Sequence, residues 1–203
     1  MYLVITRTVF LLLLMVGLQA CFGGSKTVPV RYYLIDPVDY PAASLKAVRQ
    51  MSIAIIDLNI PQYLERFHIA RRTGESQLTF SDNHQWGESL RKNLLRTLAR
   101  NLSNLLATPD IATPLNRTSS SLDYRVQVYI EQFELDSDSR VKLVARWQLS
   151  SVTSGEALGI NSLELDSQQT IEDGNYDQMV SVMQELFGTL SEQIADSVVA
   201  QEH

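Results

Sequence analysis

Tyr124-Arg125-Val126-Gln127-Val128-Tyr129-Ile130-Glu131 is the stretch of sequence from which the fold can be worked out. From the first tyrosine onward, every second residue is apolar, and most of the residues between are polar. A period of two residues is typical of a β-strand with one buried face. Phe133 and Leu135 continue the apolar series on the opposite parity, which predicts a β-bulge near Gln132.

Two further strands follow at once. Residues 136–139 are typical of a turn, and in residues 141–149 apolar side chains again alternate with polar ones. Ser154-Gly155 then turns the chain into a third strand at about residues 158–168. Consecutive strands joined by short turns pair in opposite directions, so this region predicts a three-stranded antiparallel meander.

Two long segments have the period of an amphipathic helix. In residues 83–107 leucines recur every four residues, and Asp82 with Gln85 has the spacing of a capping box at the N-terminus. The second segment is predicted at about residues 176–200, with Asn175 as its N-cap. Each segment is apolar along one side only, so each helix must pack against a sheet.

More strands are predicted before the first helix. Residues 30–35 and 51–58 are of strand length and composition, and residues 68–80 predict a hairpin. The elements together indicate an α/β (α+β) fold: a two-layer sandwich with a mainly antiparallel sheet of about six strands, on which two long helices pack. Trp86 and Trp147 are predicted to be buried between the layers. The pairing of the first two strands cannot be read from the sequence.

The first residues have the parts of a secretory signal. Arg7 is followed by an apolar run, residues 9–17, that is too short to span a bilayer, and then by Leu18-Gln19-Ala20-Cys21. This tetrapeptide resembles the lipobox of bacterial lipoproteins, in which the cysteine is acylated. An ordinary signal peptide that leaves a free thiol, and a buried structural cysteine, are the alternatives. The predicted organisation is a lipoprotein signal peptide at 1–20, lipid on Cys21, a flexible tether at 21–29 and a single periplasmic domain at 30–203.

Charge and composition exclude several functions. The whole chain has a net charge of −6, and the chain from Cys21 onward has 16 Lys and Arg against 23 Asp and Glu, a net charge of −7. Neither nucleic acid nor an anionic membrane surface attracts such a chain by charge. The three histidines have no second His or Cys at metal-ligand spacing, and no hydrolase or phosphate-loop signature occurs. The sequence therefore predicts no nucleic-acid partner, metal, cofactor or catalytic residue.

One short segment after a predicted strand combines apolar, aromatic and basic side chains. It contains Pro61, Tyr63, Leu64, Arg66 and Phe67. One interpretation is a loop that covers the edge of the sheet. The other is an exposed contact for a partner protein, since aromatic residues and Arg dominate many interfaces.

Several stretches, spread in order over nearly the whole mature chain, resemble one known family. They are Arg31-Tyr32-Tyr33-Leu34, Ile60-Pro61-Gln62-Tyr63-Leu64-Glu65-Arg66, Ile69-Ala70-Arg71, Trp86-Gly87-Glu88-Ser89-Leu90, Phe133-Glu134, Val141-Lys142-Leu143-Val144-Ala145-Arg146-Trp147 and Leu190-Ser191-Glu192-Gln193-Ile194-Ala195. On these residues the chain is similar to the PqiC/YmbA family, the ABC-type transport auxiliary lipoprotein component. Phe67 departs from the family, which usually has proline after the arginine.

The resemblance implies a non-enzymatic lipoprotein on the periplasmic face of the outer membrane. Phe22, in place of the Asp that retains lipoproteins in the inner membrane, agrees with that location. The implied partners are an MCE-domain (PqiB-like) protein and an inner-membrane protein, in a system that carries lipids between the membranes and supports envelope integrity. Self-assembly into a homo-oligomer is compatible with this role. The alternatives from other classes are a lipid-anchored periplasmic hydrolase and a stand-alone lipid-binding carrier.

Overall fold

The computed structural model describes residues 28–41, 51–116 and 121–202. The predicted signal peptide, Cys21 and most of the predicted tether lie outside these residues. The strands are β1 Arg31–Tyr33, β2 Ile53–Asn59, β3 His68–Gly74, β4 Gln77–Trp86, β5 Ile111–Ala112, β6 Tyr124–Leu135, β7 Val141–Ser151 and β8 Ala157–Asp166. The α-helices are α1 Leu90–Leu105 and α2 Tyr176–Val199, and a 3-10 helix spans Gln62–Glu65.

The strands form one sheet with the two helices packed on one face. Its order is β1-β4-β3-β6-β2-β5, while β7 lies along the other edge of β6 and β8 lies along β7. In β6 and β7 the buried residues alternate with residues on the solvent face. The predicted α+β sandwich is confirmed, and the described sheet has eight strands and is mixed rather than purely antiparallel.

The predicted meander is present, with β7 antiparallel to both β6 and β8. The register of β6 shifts between Ile130 and Gln132, where the sequence predicts a bulge. The pairing that the sequence leaves open is parallel: β1 pairs with β4, and β2 pairs with both β5 and β6. Between β2 and β6 the chain passes through α1, the kind of long crossover that parallel neighbours need.

The first helix begins later than the sequence predicts. Strand β4 continues to Trp86, and α1 starts at Leu90 after Ser89, which makes no side-chain capping bond. The capping box assigned to Asp82 and Gln85 was therefore wrong. Residues 84–86 pair with β1 on one edge of β4, and β3 pairs along the other edge, so sheet hydrogen bonds replace the local cap.

Both tryptophans lie in the core, as predicted. Trp86 ends β4 and is 3% exposed, while Trp147 in β7 is 4% exposed. The Trp147 indole N–H donates to Ser197 Oγ on α2 at 3.0 Å, so its polar atom is satisfied between the layers. Phe133 of β6 packs against Phe187 of α2, with ring centroids 6.1 Å apart. The α2 helix starts as predicted, because Asn175 accepts a hydrogen bond from the Gln178 N–H.

A segment after β1, residues 35–40, crosses the two helices as a strap. Asn93 of α1 holds Ile35 by both backbone groups: Oδ1 accepts from the Ile35 N–H at 2.7 Å, and Nδ2 donates to the Ile35 carbonyl at 3.0 Å. Thr97 donates to the same carbonyl. These side chains give the buried backbone groups of Ile35 the hydrogen-bond partners that a neighbouring strand would otherwise supply.

Farther along, the strap reaches α2. Asn101 of α1 accepts from the Val38 N–H and donates to Ser191, and the Tyr40 hydroxyl donates to the Gly188 carbonyl. A Cβ on Gly188 would lie 2.8 Å from a methyl group of Val38, so only glycine permits this close approach. The strap thus fixes the chain near the predicted tether to both helices.

Candidate functional site

The segment that the sequence singles out as a partner contact forms the 3-10 helix after β2. Pro61 precedes it with extended backbone, and the Leu64 N–H donates to the Pro61 carbonyl at 2.9 Å. Proline suits this position because its ring fixes φ and the first turn does not use its missing N–H. Leu64 is 3% exposed and joins the core, so it holds the segment to the domain.

Tyr63 is held by a buried carboxylate. Its hydroxyl donates to Glu134 Oε2 at 2.7 Å, and Arg72 Nε donates to Glu134 Oε1 at 3.1 Å. The Phe133 backbone N–H also donates to Glu134 Oε2. The Glu134 side chain is fully buried, so these donors replace the water that the carboxylate loses. Burial, and then the hydrogen bond to Glu134, raise the pKa of Tyr63 well above its ordinary value, so the hydroxyl stays a donor.

The other side chains of the segment face solvent. The Arg66 guanidinium carbon lies 4.5 Å from the centroid of the Phe80 ring on β4, a cation–π contact. Phe67, the next residue, is 56% exposed. An open depression of about 480 Å³ is lined by Gln62, Tyr63, Glu65, Arg66 and Phe80. An exposed aromatic residue that follows a stacked arginine in the chain supplies residue types that are enriched at protein contacts.

The structure divides the five predicted contact residues into two groups. Tyr63 and Leu64 are turned toward the domain and fix the segment, as the covering interpretation expects. Arg66 and Phe67 present their side chains at the surface, as the contact interpretation expects, and Pro61 at the other end of the 3-10 helix is half-buried. Phe80 and Glu134 belong to the same site and were not predicted. A single sequence gave no sign of Phe80, which comes from a different strand.

The remaining described residues offer little for other chemistry. Among residues 28–41, 51–116 and 121–202, no group of three or more His, Cys, Asp or Glu side chains is placed to hold a metal ion. Within the same residues, no helix has the length and apolar character to cross a membrane. The site with the most informative geometry is therefore the surface around Arg66 and Phe67.

Comparison with solved structures supports the fold. A crystal structure of an uncharacterised protein matches with a TM-score of 0.66 at 20% sequence identity, over 84% of this chain and 99% of that one. A Xanthomonas campestris protein matches with a TM-score of 0.65 at 11% identity, over 85% of this chain and 94% of that one. At these identities the likeness extends to the fold alone.

Comparison of sequences assigns the family. The chain is 24% identical over 182 residues to the intermembrane transport lipoprotein PqiC of Escherichia coli (strain K12), an alignment that covers 89% of this chain and 91% of that one. The PqiC of Shigella flexneri is equally similar. Residues 33–195 match the family described as the ABC-type transport auxiliary lipoprotein component, which is not a family of enzymes. The chain belongs to this family of transport auxiliary lipoproteins.

Proposed function

We propose that this chain is an outer-membrane lipoprotein and a non-enzymatic component of an intermembrane lipid-transport system. The observation that carries the proposal is the extent of the similarity to PqiC, a protein named for intermembrane transport, over 89% of this chain. The family match at residues 33–195 includes strands β2 to β8, the segment after β2, helix α1 and most of α2. It is more than a shared motif.

In this proposal Cys21 carries the lipid that holds the domain at the periplasmic face of the membrane. The eight residues of the tether at 22–29 would reach at most about 26 Å, at about 3.3 Å per residue. The domain then begins with β1, where the Tyr33 hydroxyl lies 2.9 Å from His84 Nδ1 and the His84 ring stacks on Tyr176. These contacts and the strap make the attachment point of the tether a fixed part of the domain.

The partners in this proposal are an MCE-domain (PqiB-like) protein and, beyond it, an inner-membrane protein. Arg66 and Phe67, with Phe80 under the Arg66 guanidinium and Pro61 at the start of the segment, form the contact for the MCE-domain protein. Two features support this surface. Its base is rigid, because Leu64 and the bond from Tyr63 to Glu134 fix the segment. Its exposed groups, an aromatic ring and an arginine, are the residue types that often contribute most to binding energy.

Cys21→Ser should release the protein from the membrane fraction. The serine hydroxyl does not accept the thioether-linked lipid, and several acyl chains at about 0.8 kcal/mol per buried CH₂ are what hold the domain in place. Fractionation of cells after metabolic labelling with a fatty acid measures both effects. A wild-type protein that takes up no label and is found in the soluble periplasmic fraction would contradict the lipoprotein assignment.

Phe67→Ala should weaken binding to an MCE-domain protein of the same bacterium by about 30-fold or more, the range of an interface hot spot. Arg66→Ala should weaken it as well, because the cation–π pair with Phe80 orients this surface. Binding is measured with the detergent-purified mature proteins. Because Phe67 is exposed, the melting temperature should change little.

Leu115→Ala and Arg100→Ala are the matched controls, since both residues are exposed and lie elsewhere on the domain. They should bind as the wild type does. If Phe67→Ala binds with the same affinity as the wild type, the MCE-domain protein contacts another surface of the domain. Wild-type protein that binds no MCE-domain protein of its own bacterium would contradict the proposed partner.

A further inference from the structure

Strand β8 ends the sheet with one edge uncovered. Among the described residues it pairs with β7 alone, whereas its other edge has no neighbouring strand. It spans ten residues, Ala157–Asp166, and seven of them are exposed, including Ile160 at 73%. Natural proteins usually protect a free edge by keeping the strand short or by placing Lys or Pro on it. The strands at the opposite limits of the sheet, β1 and β5, are short, but β8 is long and contains neither residue.

The hydrogen-bond register identifies the backbone groups on the free edge. The Ser167 N–H donates to the Val141 carbonyl at 2.8 Å, and from there the β7–β8 pairing continues without interruption to Gly159. In an antiparallel ladder, hydrogen-bonded and non-hydrogen-bonded pairs alternate. The N–H and C=O groups that point away from β7 therefore belong to Ile160, Ser162, Glu164 and Asp166. A further strand would find these groups ready to pair.

The inner side of this edge carries partly buried apolar side chains. Leu163 and Leu165 point toward the helix layer and are only partly buried. Beyond them, the end of β8, residues 167–169 and helix α2 border a depression of about 570 Å³. Its lining combines the apolar Leu165, Val182 and Leu186 with six polar residues. A strand added at this edge would place every second side chain here. Apolar side chains at those positions would complete the burial of the leucines.

The outer side of the edge is acidic. Glu164 and Asp166 lie on the solvent face, and both pair with Lys142 of β7. On the inner side, Glu185 of α2 adds a carboxylate at the border of the depression. The side chains of an added strand that alternate with the apolar ones would lie beside Glu164 and Asp166. Lys or Arg is favoured there, since opposite charges on adjacent strands stabilise a pair.

We propose that the free edge of β8 binds an extended segment of a partner protein, in which apolar residues alternate with Lys or Arg. The segment pairs with the outward backbone groups of β8, places its apolar side chains on the inner side toward α2, and places its basic side chains beside Glu164 and Asp166. A second copy of this chain is a poorer occupant, because its β8 would bring the same carboxylates to the edge. This surface is distinct from the one around Phe67 and does not depend on the lipid-transport proposal.

The test uses the mature full-length chain and a capped heptapeptide in which lysine and valine alternate. Two peptides serve as controls: one of the same composition without alternation, and one in which glutamate replaces lysine. The alternating basic peptide should bind and slow hydrogen exchange of the outward amides of β8. Both controls should bind at least about tenfold more weakly. Equal binding of the non-alternating peptide would overturn the proposal, since it would show attraction by charge alone.

Ser162→Pro and Ser162→Ala form the matched pair of variants. Proline removes the outward N–H and keeps the β7 ladder, because that N–H points to the free edge. It should weaken binding of the basic peptide about tenfold, whereas Ser162→Ala should bind as the wild type does. Unchanged peptide binding by Ser162→Pro would overturn the proposal. If the wild type is an oligomer and Ser162→Pro is a monomer, the occupant of this edge is a second copy, and the proposal is overturned as well. If Ser162→Pro does not fold, the double variant Glu164→Gln/Asp166→Asn provides the test. Weaker binding of the basic peptide supports the proposal, and unchanged binding overturns it.

Discussion

Trp147→Ala is expected to lower the free energy of unfolding by about 3–5 kcal/mol, the range for truncating a buried tryptophan. Trp147 lies in β7, the strand between β6 and β8, and its 4% exposed ring reaches α2, where the indole N–H meets Ser197. The substitution therefore creates a cavity between sheet and helix and removes a hydrogen bond between the two layers. Urea denaturation followed by far-ultraviolet circular dichroism measures the change.

Two further variants separate these contributions. Trp147→Phe keeps most of the buried ring and loses the N–H, and we expect a loss of about 1 kcal/mol, the usual net value of a hydrogen bond. Tyr32→Ala is the matched truncation of an exposed aromatic residue, since Tyr32 is 67% exposed, and it should change stability by less than about 0.5 kcal/mol. A Trp147→Ala loss as small as that of Tyr32→Ala would contradict the burial of this ring.

The strands of the meander could be predicted because their signal is local. Alternation in β6 and β7 reports directly which side chains face the helices, and the change of parity after Ile130 reports the bulge. The parallel partners of β1 and β2 could not be predicted in the same way. Their neighbours, β4 and β6, are distant in sequence, and no residue within a strand encodes which distant strand lies beside it.

The start of α1 shows a local signal that tertiary structure overrides. Asp82 and Gln85 have the spacing of a capping box, but β4 is paired on both edges and continues through these residues. A cap contributes about 1 kcal/mol, whereas each strand edge supplies several backbone hydrogen bonds. The leucine stripe still located the body of the helix correctly, because burial of that stripe does not depend on where the helix begins.

The strap was not predicted, although a pattern of polar residues in α1 indicates it. Asn93, Thr97 and Asn101 recur every four residues, directly before the leucines of the α1 stripe, so they form a polar line along the edge of its apolar face. Polar residues at such positions need partners when they are buried, and here the backbone of residues 35–38 supplies them. Glu134 had no comparable signal, because its partners Tyr63 and Arg72 come from the 3-10 helix after β2 and from β3, both distant in sequence.

Arg72→Met should lower the free energy of unfolding by about 3 kcal/mol. Arg72 is the cation paired with the fully buried side chain of Glu134, and removal of one member of a buried pair leaves a carboxylate without charge compensation. The value is placed at the lower end of the range for buried pairs, because the Arg72 side chain is 24% exposed and the Tyr63 hydroxyl and Phe133 N–H still donate to Glu134. Urea denaturation measures the loss.

Removing both charges should lower the free energy of unfolding by less than removing Arg72 alone does. In Arg72→Met with Glu134→Met, neither charge remains to be desolvated, so we expect this double variant to be more stable than Arg72→Met alone. Tyr63→Phe removes the other side-chain donor and should lower the free energy of unfolding by about 2 kcal/mol, the value of a hydrogen bond to a charged group. If Glu134 also positions the segment after β2, the folded fraction of Tyr63→Phe should bind the MCE-domain protein more weakly. In that variant only Leu64 fixes the segment that carries Arg66 and Phe67 to the domain. Stability unchanged in Arg72→Met and in Tyr63→Phe would show that Glu134 does not anchor this segment.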